Sequence, residues 1–207
     1  MRPLSRVHAF TDVELLTSPE FGIRAAAIAA GGPAVALHAR APGAAGALLS
    51  AGASRIAALA RPPEAAIFVS GRPDIAAAVG AQGVQLGSAD LTPADARRVM
   101  SSGWIGRSVH SLEEAKMAIA EGADFLVVGA VYETESHPGR PAAGLELVSE
   151  VAALGHPVIA IGGITPQRAG EVRAAGAYGV AAIRALWLAP DPAAATLAML
   201  QPWAEDP

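Results

Sequence analysis

Two glycines stand between an apolar run and a predicted helix, in the sequence Ala160-Ile161-Gly162-Gly163-Ile164-Thr165. Backbone N–H groups of glycines can approach an anion closely, and a helix N-terminus favours negative charge. Arg184, which follows a later apolar run, would add a cation able to bind a phosphate with two hydrogen bonds. This spacing predicts a phosphate site at Gly162, Gly163 and Arg184, although the glycines alone could equally form a tight turn.

Other polar side chains also come directly after short apolar runs. His38 and Arg40 stand at the end of one such run, Asp90 follows another, and Ser108 follows a third. A longer polar segment, 132–140, contains Glu133, Thr134, Ser136 and His137 and is punctuated by Pro138 and Gly139. Such a segment is either a lid over a site or a solvated connector.

Composition excludes several kinds of chemistry. The 207 residues carry a net charge of −4, with no Cys, no Asn and a single lysine, Lys116. The absence of Cys excludes disulfides, thiolate zinc sites and cysteine nucleophiles. The acidic balance argues against nucleic-acid binding, which needs clustered positive charge. No uninterrupted apolar run reaches membrane-spanning length and the start lacks a signal-peptide pattern, so we expect a cytoplasmic protein without membrane contact.

The elements that must position these residues are alternating strands and helices. Eight apolar runs without alternation are typical of parallel strands covered on both faces. They span Val7–Thr11, Ala34–Ala39, Ala66–Val69, Gly83–Leu86, Trp104–Gly106, Phe125–Val131, Pro157–Ile161 and Gly179–Ile183. Capping residues indicate intervening helices at Phe21–Ala30, Ala94–Ser101, Leu112–Glu121 and Gln167–Ala175.

Eight strand–helix units in one chain of this length predict a (β/α)₈ TIM barrel, with residues 1–207 as a single domain. A doubly wound open sheet is the rival, but it would place a Gly-rich turn after its first strand. Here Thr11 and Asp12 stand at that point. In a barrel the C-terminal ends of the strands converge on one mouth, which is where the polar residues above would meet.

Five ordered motifs carry a family resemblance that runs from Val7 to about Ala189. They are Gly106-Arg107-Ser108-Val109-His110-Ser111-Leu112-Glu113-Glu114-Ala115, Gly122-Ala123-Asp124-Phe125, Gly129-Ala130-Val131-Tyr132 with Glu133–Arg140, Ala160–Thr165, and Gly176-Ala177-Tyr178-Gly179-Val180-Ala181. Together they resemble the thiamine phosphate synthase/TenI superfamily. The resemblance implies a barrel that binds a thiazole phosphate at its strand ends.

The two branches of that superfamily differ in reaction and in the charged side chains at the strand ends. The synthase branch joins a hydroxymethylpyrimidine diphosphate to a thiazole phosphate and uses Mg²⁺, whereas some TenI-type proteins tautomerise a carboxythiazole phosphate. This chain has Pro42 and His137 where the synthase pattern has lysines, and Gly71 where it has a magnesium-ligating Asp. Asp90 matches the second magnesium Asp. Mg²⁺ prefers several hard oxygen ligands, so these changes favour the TenI branch.

We therefore expect a thiazole tautomerase with no cofactor and no metal, unless Asp90 binds Mg²⁺ as in the synthase alternative. Without a metal, Asp90 would orient a ligand or cap the next helix. The histidine that the resemblance assigns to proton transfer is replaced by Ala130, so the candidate catalytic residues are His38 and His137, with Glu133 as a further carboxylate. His38 could instead be bonded to a neighbouring strand end, and His137 could contact phosphate. The predicted substrate-binding residues are Arg40, Ser108, Thr134, Ser136, Gly162, Gly163 and Arg184.

Two alternatives to the tautomerase stay open. One is a divergent thiamine phosphate synthase, and the other is a non-catalytic or regulatory protein that binds thiazole phosphate. The expected partner in all three is the small molecule, with no nucleic acid. Trp187 and Trp203 near the C-terminus, which we expect to be exposed, indicate a possible homodimer, because Trp is enriched at interfaces; they could equally close the barrel base.

Overall fold

The strands of this chain form a closed parallel barrel in sequential order, with β8 paired to β1. The computed structural model describes residues 2–60, 64–134 and 141–204. The strands are β1 Val7–Phe10, β2 Val35–Ala39, β3 Ala66–Ser70, β4 Gly83–Leu86, β5 Trp104–Val109, β6 Phe125–Val128, β7 Val158–Ile161 and β8 Gly179–Ala182. The predicted (β/α)₈ barrel is confirmed, and each strand overlaps one of the eight apolar runs.

Helices cover the outside of the barrel. In the described ranges they are α1 Val13–Thr17, α2 Phe21–Ala29, α3 Gly46–Leu59, α4 Pro73–Ala78, α5 Pro93–Val99, α6 Leu112–Ala120, α7 Gly144–Ala152, α8 Ala169–Ala174, α9 Arg184–Trp187 and α10 Pro192–Leu200. Short 3₁₀ turns occupy Gly32–Ala34 and Gln201–Trp203. As predicted, Thr92 and Ser111 cap α5 and α6 through their hydroxyl oxygens.

Alternate residues of each strand enter two different cores. Leu37 and Ala39 of β2 pack outward against the helices, whereas His38 points inward with Phe68 and Phe125. Both sets are buried, because side chains fill the interior of a small barrel as well as the layer around it. This burial on both faces explains why the strands are continuous apolar runs in the sequence.

Trp187 and Trp203 belong to the outer core. Their exposed fractions are 0% and 6%, and Trp187 stacks on Phe21 at a ring-centroid distance of 5.4 Å. The expectation that this pair is exposed was therefore wrong, and the homodimer stays a prediction without it. Among the helices that the structure describes, none is both long and apolar enough to cross a bilayer.

Candidate active site

The loop after β7 is pressed against the segment that follows β6, which we call loop six (residues 129–134 in the described part). The N–H of Val131 donates to Ile161 O at 2.9 Å, and that of Tyr132 donates to Gly162 O at 3.0 Å. Gly162 and Gly163 have φ values of 101° and 64°, in the region that favours glycine. A Cβ on Gly162 would lie 2.6 Å from the Ala130 Cα. Glycine is thus required there by both backbone conformation and space.

All three carbonyls of the β7 loop are engaged by hydrogen bonds. Ile161 O and Gly162 O accept from loop six, and Gly163 O accepts from the Arg168 guanidinium at 2.7 Å. In a trans peptide the N–H points opposite to the carbonyl of the same unit. The N–H groups of Gly162, Gly163 and Ile164 therefore face away from these partners, and no described residue accepts from them. Three such N–H groups in a row form an anion-binding concavity.

This N–H row lies in the loop that joins β7 to α8. Arg184 begins α9 directly after β8 and is exposed. Thr134 is half-buried at the end of the described part of loop six. The structure thus places Gly162, Gly163, Arg184 and Thr134 at the same end of the barrel, where the strand ends converge. Ser136 and His137 lie outside the described residues.

Asp90 closes the turn after β4. Its Oδ2 accepts from the Gly87 N–H at 2.7 Å, and Arg107 donates to Ser88 O and Leu91 O on the same loop. Asp90 faces Gly71, where a Cβ would lie 3.0 Å from its Oδ1. Because Thr92 caps α5, the helix-cap role considered for Asp90 is wrong, and its carboxylate stays at the mouth of the barrel.

Arg40 and Ser108 complete the polar rim on the β2 and β5 ends. Burial lowers the pKa of the Arg40 guanidinium and Asp12 opposes this shift, but arginine stays charged in proteins. Gln85 donates through Nε2 to Ser108 Oγ at 2.7 Å. Ser108 accepts that bond, so its own hydroxyl proton is left to donate elsewhere.

His38 lies inside the barrel and not at its mouth, where the sequence predicts it. It is fully buried and stacks between Phe10 and Phe68, with ring-centroid distances of 3.9 Å and 4.8 Å. Its Nε2 lies 2.7 Å from His8 Nδ1, and His8 Nε2 lies 2.9 Å from Ser5 O. This agrees with the alternative in which His38 bonds to a neighbouring strand.

The hydrogen-bond chain determines both tautomers. A carbonyl only accepts, so His8 carries its proton on Nε2 and accepts at Nδ1, and His38 donates from Nε2. Burial lowers the pKa of His8 to about 4. Burial and then the neighbouring His8 hold the pKa of His38 well below its ordinary value. Both rings are neutral near pH 7, and His38 Nδ1 is a buried acceptor with no described donor.

The remaining described histidines occupy structural positions. His110 bonds through Nδ1 to Gly129 O, and its backbone N–H donates to Glu114 Oε2 at 2.7 Å. His156 lies 3.5 Å from Leu154 O. Glu133, the further carboxylate considered for catalysis, is exposed on loop six.

The other end of the barrel holds a cleft of about 750 Å³. Ser5, Pro33, Gln82 and Trp104, which line it, all lie at the N-terminal ends of strands. In barrels that end contributes stability, and chemistry is built on the opposite loops. We therefore place the candidate site at the mouth with the glycine loop and not in this cleft.

Sequence reasoning missed three features of the site. The first is Gln85, which bonds to Ser108, and the second is Ser70, whose Oγ is buried without a described partner. The third is a set of contacts around Arg168. Ser70 and Gln85 belong to β3 and β4, so strict alternation along those strands could have found them.

A closed (β/α)₈ barrel with a row of backbone N–H groups after β7 is the arrangement on which TIM barrels commonly build a phosphate site. A family model described as "Thiamine monophosphate synthase" matches residues 9–186. The chain belongs to this thiamine monophosphate synthase/TenI family.

Individual relatives agree with that assignment. The thiamine-phosphate synthase of Thermus thermophilus is 48% identical over 147 residues, covering 70% of this chain and 71% of the relative. That of Mycolicibacterium gilvum is 46% identical over 142 residues, covering 68% and 60%. The solved thiamine phosphate pyrophosphorylase of Pyrococcus furiosus is 32% identical, with a TM-score of 0.80 and coverage of 95% and 94%.

These relatives overturn the predicted tautomerase. Two are named as thiamine-phosphate synthases and the third as a thiamine phosphate pyrophosphorylase, so the synthase alternative was the better interpretation and the isomerase prediction was wrong. The structure agrees on one point, because Ala130, at the position of the expected tautomerase histidine, has no titratable group and packs its Cβ against Gly162. The base role of His38, His137 and Glu133 was predicted for that reaction, and the assignment of these residues as catalytic stays a prediction.

Proposed function

We propose that this chain is a thiamine-phosphate synthase, which joins a hydroxymethylpyrimidine diphosphate to a thiazole phosphate and releases diphosphate. The observation that carries the proposal is the N–H row of Gly162, Gly163 and Ile164 at the barrel mouth. The choice of reaction is supported by the names of the relatives in Thermus, Mycolicibacterium and Pyrococcus.

The thiazole phosphate would bind at the β6–β8 side of the mouth. The N–H row would donate to phosphate oxygens, and hydrogen bonds to a charged acceptor are the strong ones. Arg184 and Thr134 stand at the neighbouring strand ends and would complete the phosphate contacts. This side of the site holds its substrate with fixed backbone groups, which need no reorganisation when the ligand arrives.

The diphosphate substrate would bind at the β2–β5 side. Arg40 offers a cation there. The Ser108 hydroxyl oxygen already accepts from Gln85 Nε2, so its proton would be donated to the substrate. Release of diphosphate concentrates negative charge on the departing oxygens, so cations and donors on this side favour the reaction. With Pro42 and Gly71 where the synthase pattern has lysine and aspartate, Arg40 would supply more of this stabilisation directly, whereas the Asp90 carboxylate would contribute only by holding Mg²⁺.

Mg²⁺ fits this side only as a metal shared with substrate. In the described residues no cluster of three His, Cys, Asp or Glu could hold a metal. Asp90 supplies one hard carboxylate, and a Cβ at Gly71 would crowd it. Mg²⁺ is commonly bound by one or two carboxylates together with substrate phosphates. Asp90 would therefore hold the ion together with a diphosphate, and the ion would neutralise charge on the leaving group.

Product identification tests the proposal. The protein is incubated with hydroxymethylpyrimidine diphosphate, thiazole phosphate and Mg²⁺, and thiamine phosphate and diphosphate are quantified. We expect the two products in equal amounts. Binding of thiazole phosphate without any thiamine phosphate would instead support the non-catalytic binding protein.

A further inference from the structure

The glycine loop after β7 is held on one side by three side chains that the proposed reaction does not use. Arg168 donates to Gly163 O at 2.7 Å, and its guanidinium carbon lies 4.3 Å from the centre of the Tyr132 ring. The Tyr132 hydroxyl donates to Glu171 Oε1 at 2.6 Å. Arg168 and Glu171 stand at the start of α8, and Tyr132 belongs to loop six.

These contacts tie two loops and a helix together. The Tyr132 backbone N–H bonds to Gly162 O while its ring stacks on Arg168, which bonds to Gly163 O. A Cβ on Gly163 would lie 2.7 Å from the Tyr132 Cβ and 3.3 Å from an Arg168 nitrogen. Tyr132 and Arg168 thus contact the loop on its carbonyl side, opposite its N–H groups.

The hydrogen bonds to the loop carbonyls also orient the N–H groups that would bind phosphate. Each peptide unit is rigid, so a hydrogen bond that holds a carbonyl also aims the N–H of the same unit. Arg168 holds Gly163 O and thereby aims the Ile164 N–H. Without it, this peptide could rotate, because Gly163 has wide backbone freedom.

We propose that Arg168, braced by Tyr132 and Glu171, is a positioning residue that aims the Gly162–Ile164 N–H row at the phosphate of the thiazole substrate. The proposal rests on the proposed function, since it concerns the same phosphate. Arg168 acts through the loop and not by touching the phosphate, because its guanidinium is engaged with Gly163 O and the Tyr132 ring.

Binding of two matched ligands tests this role. Dissociation constants are measured by calorimetry for thiazole phosphate and for the unphosphorylated thiazole alcohol, with wild type, Arg168→Gln, Arg168→Lys and Tyr132→Leu. We expect Arg168→Gln to weaken thiazole phosphate about tenfold and to leave the alcohol unchanged. Tyr132→Leu should weaken the phosphate ligand in the same direction, and Arg168→Lys should restore part of the loss.

Arg98→Gln is the control. It removes an arginine from an exposed pair with Asp95 on α5, and its binding should match that of wild type. In the synthase assay, Arg168→Gln should raise KM for thiazole phosphate with little change in kcat, a split that general damage to the fold would not produce.

Three outcomes would overturn the role of Arg168 alone, and a fourth would overturn the phosphate site with it. Unchanged thiazole phosphate affinity in Arg168→Gln removes it, and equal weakening of both ligands makes it merely structural. Full rescue by lysine together with no effect of Tyr132→Leu makes Arg168 a direct charge contact. If wild type itself does not prefer the phosphorylated ligand, the proposed phosphate site fails and the positioning role fails with it.

Discussion

Gly162 occupies a position where a side chain has neither room nor an allowed backbone. Its φ is 101°, and a Cβ would lie 2.6 Å from both Cα and Cβ of Ala130. Any substitution must push the loop away from loop six, which breaks the bond from the Tyr132 N–H to Gly162 O. The N–H row would then turn away from its ligand.

Gly162→Ala should therefore raise KM for thiazole phosphate about 10- to 100-fold, which corresponds to about one hydrogen bond to a charged group. Gly170→Ala is the matched control, because nothing lies within 4 Å of its Cβ in α8 and its φ is ordinary. Steady-state kinetics of both variants give the comparison. Equal KM values for the two variants would show that the loop does not bind the phosphate.

Asp90 carries the one metal role proposed for this chain. Asp90→Asn keeps an oxygen that can accept from the Gly87 N–H but removes the charge. We expect turnover at fixed Mg²⁺ to fall about tenfold or more, with part of the loss recovered by raising Mg²⁺. Turnover against Mg²⁺ concentration measures this. A variant with the wild-type Mg²⁺ dependence would remove Asp90 from the site.

The buried histidine pair predicts acid sensitivity. Unfolded histidine takes up a proton below about pH 6.5, whereas His8 in the fold stays neutral down to about pH 4. The unfolded chain then binds more protons, so the free energy of unfolding is full above about pH 6.5 and falls as the pH drops toward 4. The slope is about 1.4 kcal/mol per pH unit for one such histidine, and His38 adds to it.

Urea unfolding at about pH 7.5, 6 and 5 measures this loss. The double variant His8→Phe/His38→Phe should flatten the dependence. Wild-type stability that stays constant from about pH 7.5 to 5 would contradict the assignment of neutral rings.

At the scale of elements, the C-terminal ends of two strands differ from the ends that their apolar runs predict. The apolar run predicts that β5 stops at Gly106, because Arg107 and Ser108 are polar, but the strand continues to Val109. The last residues of a barrel strand lie at the mouth, where polar side chains reach solvent, so Arg107 and Ser108 remain part of the strand. The run after it predicts that β6 reaches Val131, but the strand stops at Val128, since Gly129–Val131 turns to bond with the β7 loop.

The helices were predictable where a side chain caps them. Thr92 and Ser111 mark α5 and α6, and Asp191 before Pro192 is an equal signal for α10 that could have been used. α3 begins after Ala45, which offers no capping side chain, so its start has no signal in the sequence. The helix after β7 begins at Ala169, because Thr165–Arg168 first forms a turn.

An ion pair joins α5 to the N-terminal ends of β5 and β6. Arg97 lies 2.5 Å from Asp124 Oδ2, which also accepts from the Ile105 N–H at 2.7 Å. Asp124→Ala leaves these partly buried donors unpaired and should lower the free energy of unfolding by about 1–3 kcal/mol. Because this end is opposite the mouth, kcat of the folded variant should not change.

Urea unfolding and steady-state assays check both halves of that expectation. Arg98→Ala, which removes an exposed pair on the same helix, should change stability by less than about 1 kcal/mol. A large loss of kcat in folded Asp124→Ala would mean that the two ends of the barrel are coupled.

At the scale of the whole molecule, the barrel brings together residues that are far apart in sequence. His8 and His38 are 30 residues apart, and Tyr132 and Glu171 are 39 apart. Sequence order predicts which residues reach the mouth, because strand ends converge there. It does not predict which side chains bond to each other inside, since that depends on barrel tilt and register.

The choice between the tautomerase and the synthase reaction could not be made from single substitutions in the sequence. Three substitutions, at Pro42, Gly71 and His137, favour the tautomerase when they are weighed alone, against the likeness of the rest of the chain. At Gly71 the structure shows an Asp90 carboxylate already against the backbone, so one acidic group occupies this space. A single carboxylate can still share a metal with a diphosphate, so the loss of the second Asp does not exclude the synthase reaction.

The most direct test of the account is steady-state formation of thiamine phosphate by wild type and Gly162→Ala, with Mg²⁺ and with excess chelator. We predict thiamine phosphate and diphosphate in equal amounts from wild type, loss of both with chelator, and a raised KM for thiazole phosphate in the variant. Wild-type protein that binds both substrates and forms no thiamine phosphate would contradict it.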